Sequence, residues 1–195
     1  MKFFLSTKNM HKLTEFKRIL EPLGIDIICE KDLPYELPDV EEDGATFEEN
    51  ALIKARAGFK QTGLPTVADD SGLCVDALDG APGIYSARYA GEPSNMELNK
   101  KLLLKNLEGI KYEDRTARFK SSVACVLPDG REFTVTGCCE GHIAFEESGT
   151  AGFGYDPLFI SEIGCFGELT DEQKDSVSHR GNSLKLFKEE IKKYL

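Results

Sequence analysis

Thr66-Val-Ala-Asp-Asp-Ser-Gly-Leu-Cys-Val-Asp-Ala-Leu78 sets two adjacent carboxylates, Asp69 and Asp70, inside an otherwise apolar run. Thr66–Asp69 reads as a strand that runs into the acidic pair, and Leu73–Leu78 as strand again. Adjacent residues of an extended strand face opposite ways, so one Asp can enter a cleft while the other braces the loop. Taken alone, Asp-Asp-Ser-Gly is more simply a strand-end turn, because Asp, Ser and Gly are turn formers.

Upstream, Lys2–Ser6 is a short apolar run, read as a first strand. Leu13, Phe16, Leu20 and Leu23 recur at the helical interval, and Pro22-Leu-Gly24 stops that helix. Ile25–Cys29 reads as a second strand, and Asp32–Asp43, with two prolines and a run of acids, as a loop. Thr46-Phe-Glu-Glu49 has the form of a capping box. The helix it opens carries Ala51, Ala55 and Phe59 on one face and ends near Gly63.

Downstream, Gly80–Pro93 is rich in chain breakers, and Ser94-Asn-Met-Glu97 reads as a second capping box for a helix to about Leu107. Ala117–Leu127 alternates with period two, turns at Pro128-Asp-Gly130 and returns as Arg131–Gly137. Gly152–Pro157 is a glycine-rich loop. Thr170-Asp-Glu-Gln173 is a third capping box, whose short helix gives way at His179-Arg-Gly181. A last helix carries Leu184, Phe187, Ile191 and Leu195. Strand–helix alternation followed by a hairpin predicts an α/β fold, with helices and a twisted sheet enclosing a cleft. With no linker or repeat, residues 1–195 read as one domain, a single unit of two lobes.

Among 195 residues, 41% are apolar and 30% charged, and the formal net charge is −10. So acidic a surface repels nucleic acid and anionic lipid. A polyanionic substrate would need local positive charge or a bridging cation. No apolar run approaches the ~20 residues of a membrane span, and charges interrupt the N-terminus where a signal peptide would be apolar. None of the six cysteines forms a C-x-x-C pair, and their neighbours are mostly apolar. They read as buried reduced thiols, consistent with a cytoplasmic protein.

Several stretches could carry chemistry. Ser6-Thr-Lys-Asn-Met-His-Lys12 joins a strand to a helix, and helix N-termini favour phosphate. Glu41-Glu-Asp43 could ligate a metal or be a solvated loop. Lys54 and Lys174 lie within helices. Phe153-Gly-Tyr-Asp156 offers an aromatic wall beside hydrogen-bonding groups, and His179-Arg180 offers donors at a helix break.

In this order these stretches resemble the inosine triphosphate pyrophosphatases, also called XTP/dITP diphosphatases. The matching segments are 6–12, Gly44–Arg56, Ala68–Leu73, Gly80–Gly91, Gly152–Pro157, Glu168–Thr170 and Ser178–Gly181. The resemblance implies an α/β fold of two lobes with a long mixed sheet and a central substrate cleft, usually as a homodimer. It implies magnesium-dependent hydrolysis of ITP, dITP and XTP to monophosphate and pyrophosphate, which keeps deaminated purines out of DNA and RNA.

By that resemblance Thr7, Lys8, Asn9, Met10, His11 and Lys12 contact the triphosphate. Asp70 is general base and metal ligand, and Ser71 a substrate contact. Glu41 and Glu42 both fit the place of the other metal ligand. Lys54 and Lys174 match phosphate- or base-side contacts. Phe153, Gly154, Tyr155 and Asp156, with His179 and Arg180, match the base pocket. Lys8 stands where many members carry glycine. Two rivals are a phosphatase that releases orthophosphate and a nucleotide sensor without turnover.

Overall fold

Phe3, Phe4 and Leu5 are buried in strand β1 (Lys2–Leu5), the first element of a computed structural model that describes residues 2–194. The chain continues through α1 (Met10–Leu20), β2 (Asp26–Ile28), α2 (Phe47–Thr62), β3 (Thr66–Val75) and α3 (Met96–Asn106). It ends with β4 (Thr116–Val126), β5 (Glu132–Ile143), β6 (Phe159–Ser161), β7 (Gly164–Cys165), α4 (Asp171–Val177) and α5 (His179–Ile191). The seven strands form one sheet in the order β2-β1-β3-β4-β5-β6-β7. β1 pairs in parallel with β2 and β3, whereas β5–β6 and β6–β7 are antiparallel. The sheet is therefore mixed, and helices supply the parallel crossovers.

The chain divides into two compact units. The first comprises Met1–Asp70, Ser121–Gly137 and Arg180–Leu195, and the second Ser71–Lys120 and Cys138–His179. In the first unit, Leu13, Phe16 and Leu20 of α1 meet Phe3, Leu5, Ile27, Leu184 and Phe187 in one apolar cluster. Ala51, Ala55 and Gly58 lie on one face of α2. A Cβ at Gly58 would stand 2.8 Å from Thr66 Cγ2. These small residues let α2 approach the sheet closely and so fix the polar side chains it carries. In the second unit, Leu73, Leu103, Phe119, Tyr155, Phe159 and Phe166 form a separate core. Leu195 and the Leu23 side chain, both expected on apolar helix faces, lie outside the described residues.

Local signals set most boundaries. Gly63 closes α2 in the left-handed region at φ 68°, and Thr46 caps it by accepting from Glu49 N. The Glu49 carboxylate accepts from Ala45 N, not from the cap's own N–H, so the expected reciprocal box is shifted by one residue. Thr170 and Gln173 form the full reciprocal box. The cap of α3 is Asn95, which accepts from Leu98 N, while Ser94 is drawn off to donate to Ala87 O.

Three expectations are corrected. The 66–78 stretch is not two strands around a turn, because β3 runs unbroken from Thr66 to Val75 through Asp69-Asp-Ser-Gly72. Neighbouring strands hold the turn formers extended, a case of tertiary pairing overriding local preference. The partner strand of the hairpin reaches Ile143, well beyond Gly137. Not every thiol is buried: alternation on β5 sends Cys139 inward and leaves Cys138 exposed, and Cys74 is half-buried.

Candidate active site

Because β3 stays extended through the acidic pair, its two carboxylates point to opposite faces of the sheet. The Asp69 side chain is 0% exposed and that of Asp70 is 13% exposed. The two therefore meet different partners, all within the first unit.

On the Asp69 face, Lys12 Nζ stands 3.1 Å from Oδ1, and Arg180 donates to Oδ2 from Nη2 at 2.9 Å. Arg180 Nη1 also pairs with Glu15, itself buried. Burial alone would raise the Asp69 pKa. Lys12, Arg180 and Lys54 more than offset it and hold the carboxyl well below the usual range. Lys12 is lowered as well, but here burial wins: it pushes the ammonium down although Asp69 opposes the shift.

On the other face, Asp70 Oδ1 is 3.4 Å from Lys54 Nζ, and Oδ2 accepts from Asn50 Nδ2 at 3.2 Å. The same Lys54 ammonium is 2.7 Å from Glu42 Oε2. Asp70 is raised from the ordinary carboxylate value, chiefly by burial, with Glu42 adding to the shift against Lys54 and Lys12. Burial opposes the charge of Lys54, but Asp70, Glu42 and Asp69 outweigh it and keep the lysine raised. Glu41, by contrast, is exposed, whereas Glu42 is half-buried.

The opening loop lies at the start of α1. Asn9 caps the helix by accepting from His11 N at 2.9 Å and Lys12 N at 3.3 Å, and Thr7 Oγ1 accepts from Asn9 N at 3.1 Å. The Asn9 side chain thus already occupies two N–H groups of the helix end. Lys8, Met10 and His11 are exposed, and Lys8 pairs with Asp39. Thr7, Lys8 and Met10 line a groove of about 500 Å³ with Leu33, Pro34 and Tyr35.

The residues read as base-side contacts form a second constellation in the second unit, apart from Arg180. Asp156 Oδ2 accepts from Phe153 N at 2.7 Å and from Lys174 Nζ at 2.8 Å. Lys174 Nζ also stands 4.8 Å from the centre of the Phe153 ring. A Cβ at Gly152, where φ is +72°, would meet Asp156 Oδ2 at 2.1 Å, so the loop requires glycine there. Tyr155 donates from its hydroxyl to Ser86 O at 2.9 Å, and burial raises that phenol. His179 stacks on Phe119 with ring centres 4.7 Å apart. His179 and Arg180 are not at the helix break itself: they form the first turn of α5, and Ser178 makes the break.

A divalent cation could be held by Asp70 and Glu42. No group of three or more His, Cys, Asp and Glu side chains gathers among the described residues, so a metal would take few protein ligands. Two carboxylates already converging on one cation, Lys54, fit magnesium, which binds one or two carboxylates and completes its shell with phosphate and water. Two polar residues that the sequence reading gave no role, Glu15 and Asn50, are central to this geometry. Each had a weak signal: Glu15 lies one turn after Lys12 on the same helix, and Asn50 follows the Thr46 cap by one turn.

A sequence model of the Ham1 family matches residues 3–190. A dITP/XTP pyrophosphatase of Geobacter sulfurreducens is 50% identical over 189 residues, covering 96% of this chain and 94% of that protein. Another, from Bacillus licheniformis, is 50% identical over 183 residues, covering 93% of each. Among solved structures, a HAM1 protein from Coxiella burnetii aligns with a TM-score of 0.88 at 38% identity, covering 99% of both chains. A nucleoside-triphosphatase / dITP/XTP pyrophosphatase from Mycobacterium abscessus aligns at 0.77 with 47% identity, covering 96% of this chain and 97% of the other. With a match over nearly its whole length and half its residues identical to these relatives, the chain belongs to the Ham1 family.

Proposed function

We propose that this protein hydrolyses dITP, XTP and ITP to the nucleoside monophosphate and pyrophosphate. The observation that carries the reading is the pairing of Asp70 and Glu42 around Lys54, with Lys12 on the opposite side of the same strand, in a chain half identical to named dITP/XTP pyrophosphatases.

Water is a weak nucleophile at neutral pH. Asp70 accepts its proton as the oxygen attacks the α-phosphorus, and burial makes its carboxylate a better acceptor than a solvated one. Lys12 and Lys54 supply positive charge for the triphosphate and for the departing pyrophosphate. This concentrated charge is how a protein of net charge −10 tolerates a polyanion. Bound magnesium would polarise phosphate oxygens; Asp70 and Glu42 hold it in this reading, and exposed Glu41 does not. Ser71, Thr7 and the loop to Lys12 contact substrate.

Base recognition falls to Phe153, Gly154, Tyr155, Asp156, Lys174 and His179. Hypoxanthine and xanthine present an acceptor at the 6-position where adenine presents a donor. A buried donor such as Lys174 suits the first and meets adenine donor to donor. Such a mismatch costs roughly 1–3 kcal/mol, about 5- to 150-fold in selectivity. Arg180 acts from behind, through Asp69, since both its arms are engaged by buried carboxylates.

The protein works in this reading as a cytoplasmic homodimer. The dimer rests on the family resemblance. The compartment rests on the six free thiols. Light scattering tests the dimer. Incubation with XTP, dITP, ITP, GTP and ATP, with and without magnesium, tests the reaction. Magnesium-dependent pyrophosphate from the first three supports it, and orthophosphate with the diphosphate overturns it.

A further inference from the structure

Asn50 is 2% exposed, and both ends of its amide are in use. Oδ1 accepts from Gly44 N at 2.9 Å, and Nδ2 donates to Asp70 Oδ2 at 3.2 Å. The partners fix the amide's orientation: a flipped group would set NH2 against an N–H and a carbonyl against a carboxylate. Gly44 lies two residues after Glu42. A Cβ there would stand 2.7 Å from Asn50 Oδ1 and 2.8 Å from Glu49 Cβ. The glycine is what lets the loop close onto the amide. Glu49 adds a second tie by accepting from Ala45 N at 2.7 Å.

One side chain on α2 thus joins the loop that carries Glu42 to the strand that carries Asp70. We infer that Asn50 is a positioning residue that sets the separation of the Glu42 and Asp70 carboxylates by hydrogen-bonding Gly44 and Asp70 at once, and so governs divalent-cation affinity. The inference rests on the assignment of Asp70 and Glu42 as metal ligands made above. Lys54 sits between the two carboxylates and balances their charge, but an ammonium on a four-carbon stem does not fix their spacing. The short amide, locked at both ends, does. Leucine has a similar shape but neither bond, and leaves a buried N–H and a carboxylate oxygen without them.

The test uses Asn50→Leu and Asn50→Ser at one end of the link and Gly44→Ala at the other. Free Mn2+ is counted by electron paramagnetic resonance to obtain the metal affinity without turnover, and the Mg2+ dependence of XTP hydrolysis is measured in parallel. Groups that orient metal ligands typically contribute about 10- to 100-fold in affinity. The expected result is a loss of that size for Mn2+ in the folded variants, with the Mg2+ requirement rising in step and kcat recovering at saturating Mg2+. Wild-type Mn2+ affinity in any folded variant overturns the inference. Loss of fold in all three also overturns it, because the amide is then a brace of the core. If the wild-type protein itself releases no pyrophosphate, the proposed function fails instead, and the two failures are told apart.

Discussion

Arg180 Nη2 lies 2.9 Å from Asp69 Oδ2, with the side chains 2% and 0% exposed. A charge pair with so little solvent survives only because both members are further satisfied: Arg180 by Glu15, Asp69 by Lys12. The four groups form a buried chain of alternating sign that ties α5, β3 and α1 together. Lys12, at one end, is the cation that the proposed reaction assigns to the triphosphate.

Removing one member leaves an uncompensated charge in the interior. Arg180→Met is expected to destabilise the protein by about 3–5 kcal/mol, the cost typical of breaking a buried pair. Urea unfolding followed by circular dichroism measures it. A loss below about 1 kcal/mol would mean that solvent reaches the pair.

The same pair makes a pH prediction. The folded-state Asp69 lies far below its unfolded value, so its contribution is fully present above about pH 4 and is lost as pH falls towards the lower folded value. Wild-type stability should therefore decline on acidification below about pH 4. Asp69→Asn should be less stable at neutral pH and show a shallower decline over that acid range. Urea midpoints across a pH series give both slopes, and equal slopes would contradict the assignment.

Asp70 should behave in the opposite way. Its raised value means the folded chain holds this proton more tightly than the unfolded chain does, so stability falls as pH rises through that window. Asp70→Asn should cut turnover by at least about 100-fold, as loss of a general base does. Its metal-free melting temperature should be equal to or above that of the wild type. Activity above about a tenth of wild type would rule out Asp70 as the base.

These contrasts show what local sequence could and could not reveal. The buried stripe of α1, the Thr46 and Thr170 caps and the Gly63 stop are set by neighbours within one or two turns, and their residue pattern suffices. The unbroken course of β3 is not local. Asp-Asp-Ser-Gly carries turn preferences that sheet pairing overrides, so the pattern suggested a break that is absent. Arg180 is separated from Asp69 by 111 positions and from Glu15 by 165, and no periodicity links residues so distant. The choice between Glu41 and Glu42 likewise depends on which of two adjacent acids reaches Lys54, a matter of loop path alone.

Gly152→Ala tests the loop of the second unit. The substitution puts a methyl group on the Asp156 carboxylate at a backbone angle of +72°, which side chains rarely adopt. The strain is of order 1–3 kcal/mol, and relieving it pulls Asp156 off Phe153 N and Lys174. The expected outcome is a rise in KM for XTP with a smaller change in kcat, read from steady-state kinetics. An unchanged KM would detach this loop from base recognition.

Glu41 and Glu42 can be separated directly. Glu42 stands 2.7 Å from the lysine that also meets Asp70, while Glu41 faces solvent. Glu42→Gln removes one of the two charges that would hold a divalent cation, and it also loosens Lys54. It should raise the Mg2+ concentration needed for half-maximal pyrophosphate release by about 10-fold or more, each 1.4 kcal/mol of lost binding being a factor of ten. Glu41→Gln changes a solvated charge and should leave that concentration within about twofold of wild type. Magnesium titrations of the two variants side by side decide the matter. A larger shift for Glu41→Gln than for Glu42→Gln would mean that the acidic loop presents its other carboxylate when metal and substrate bind.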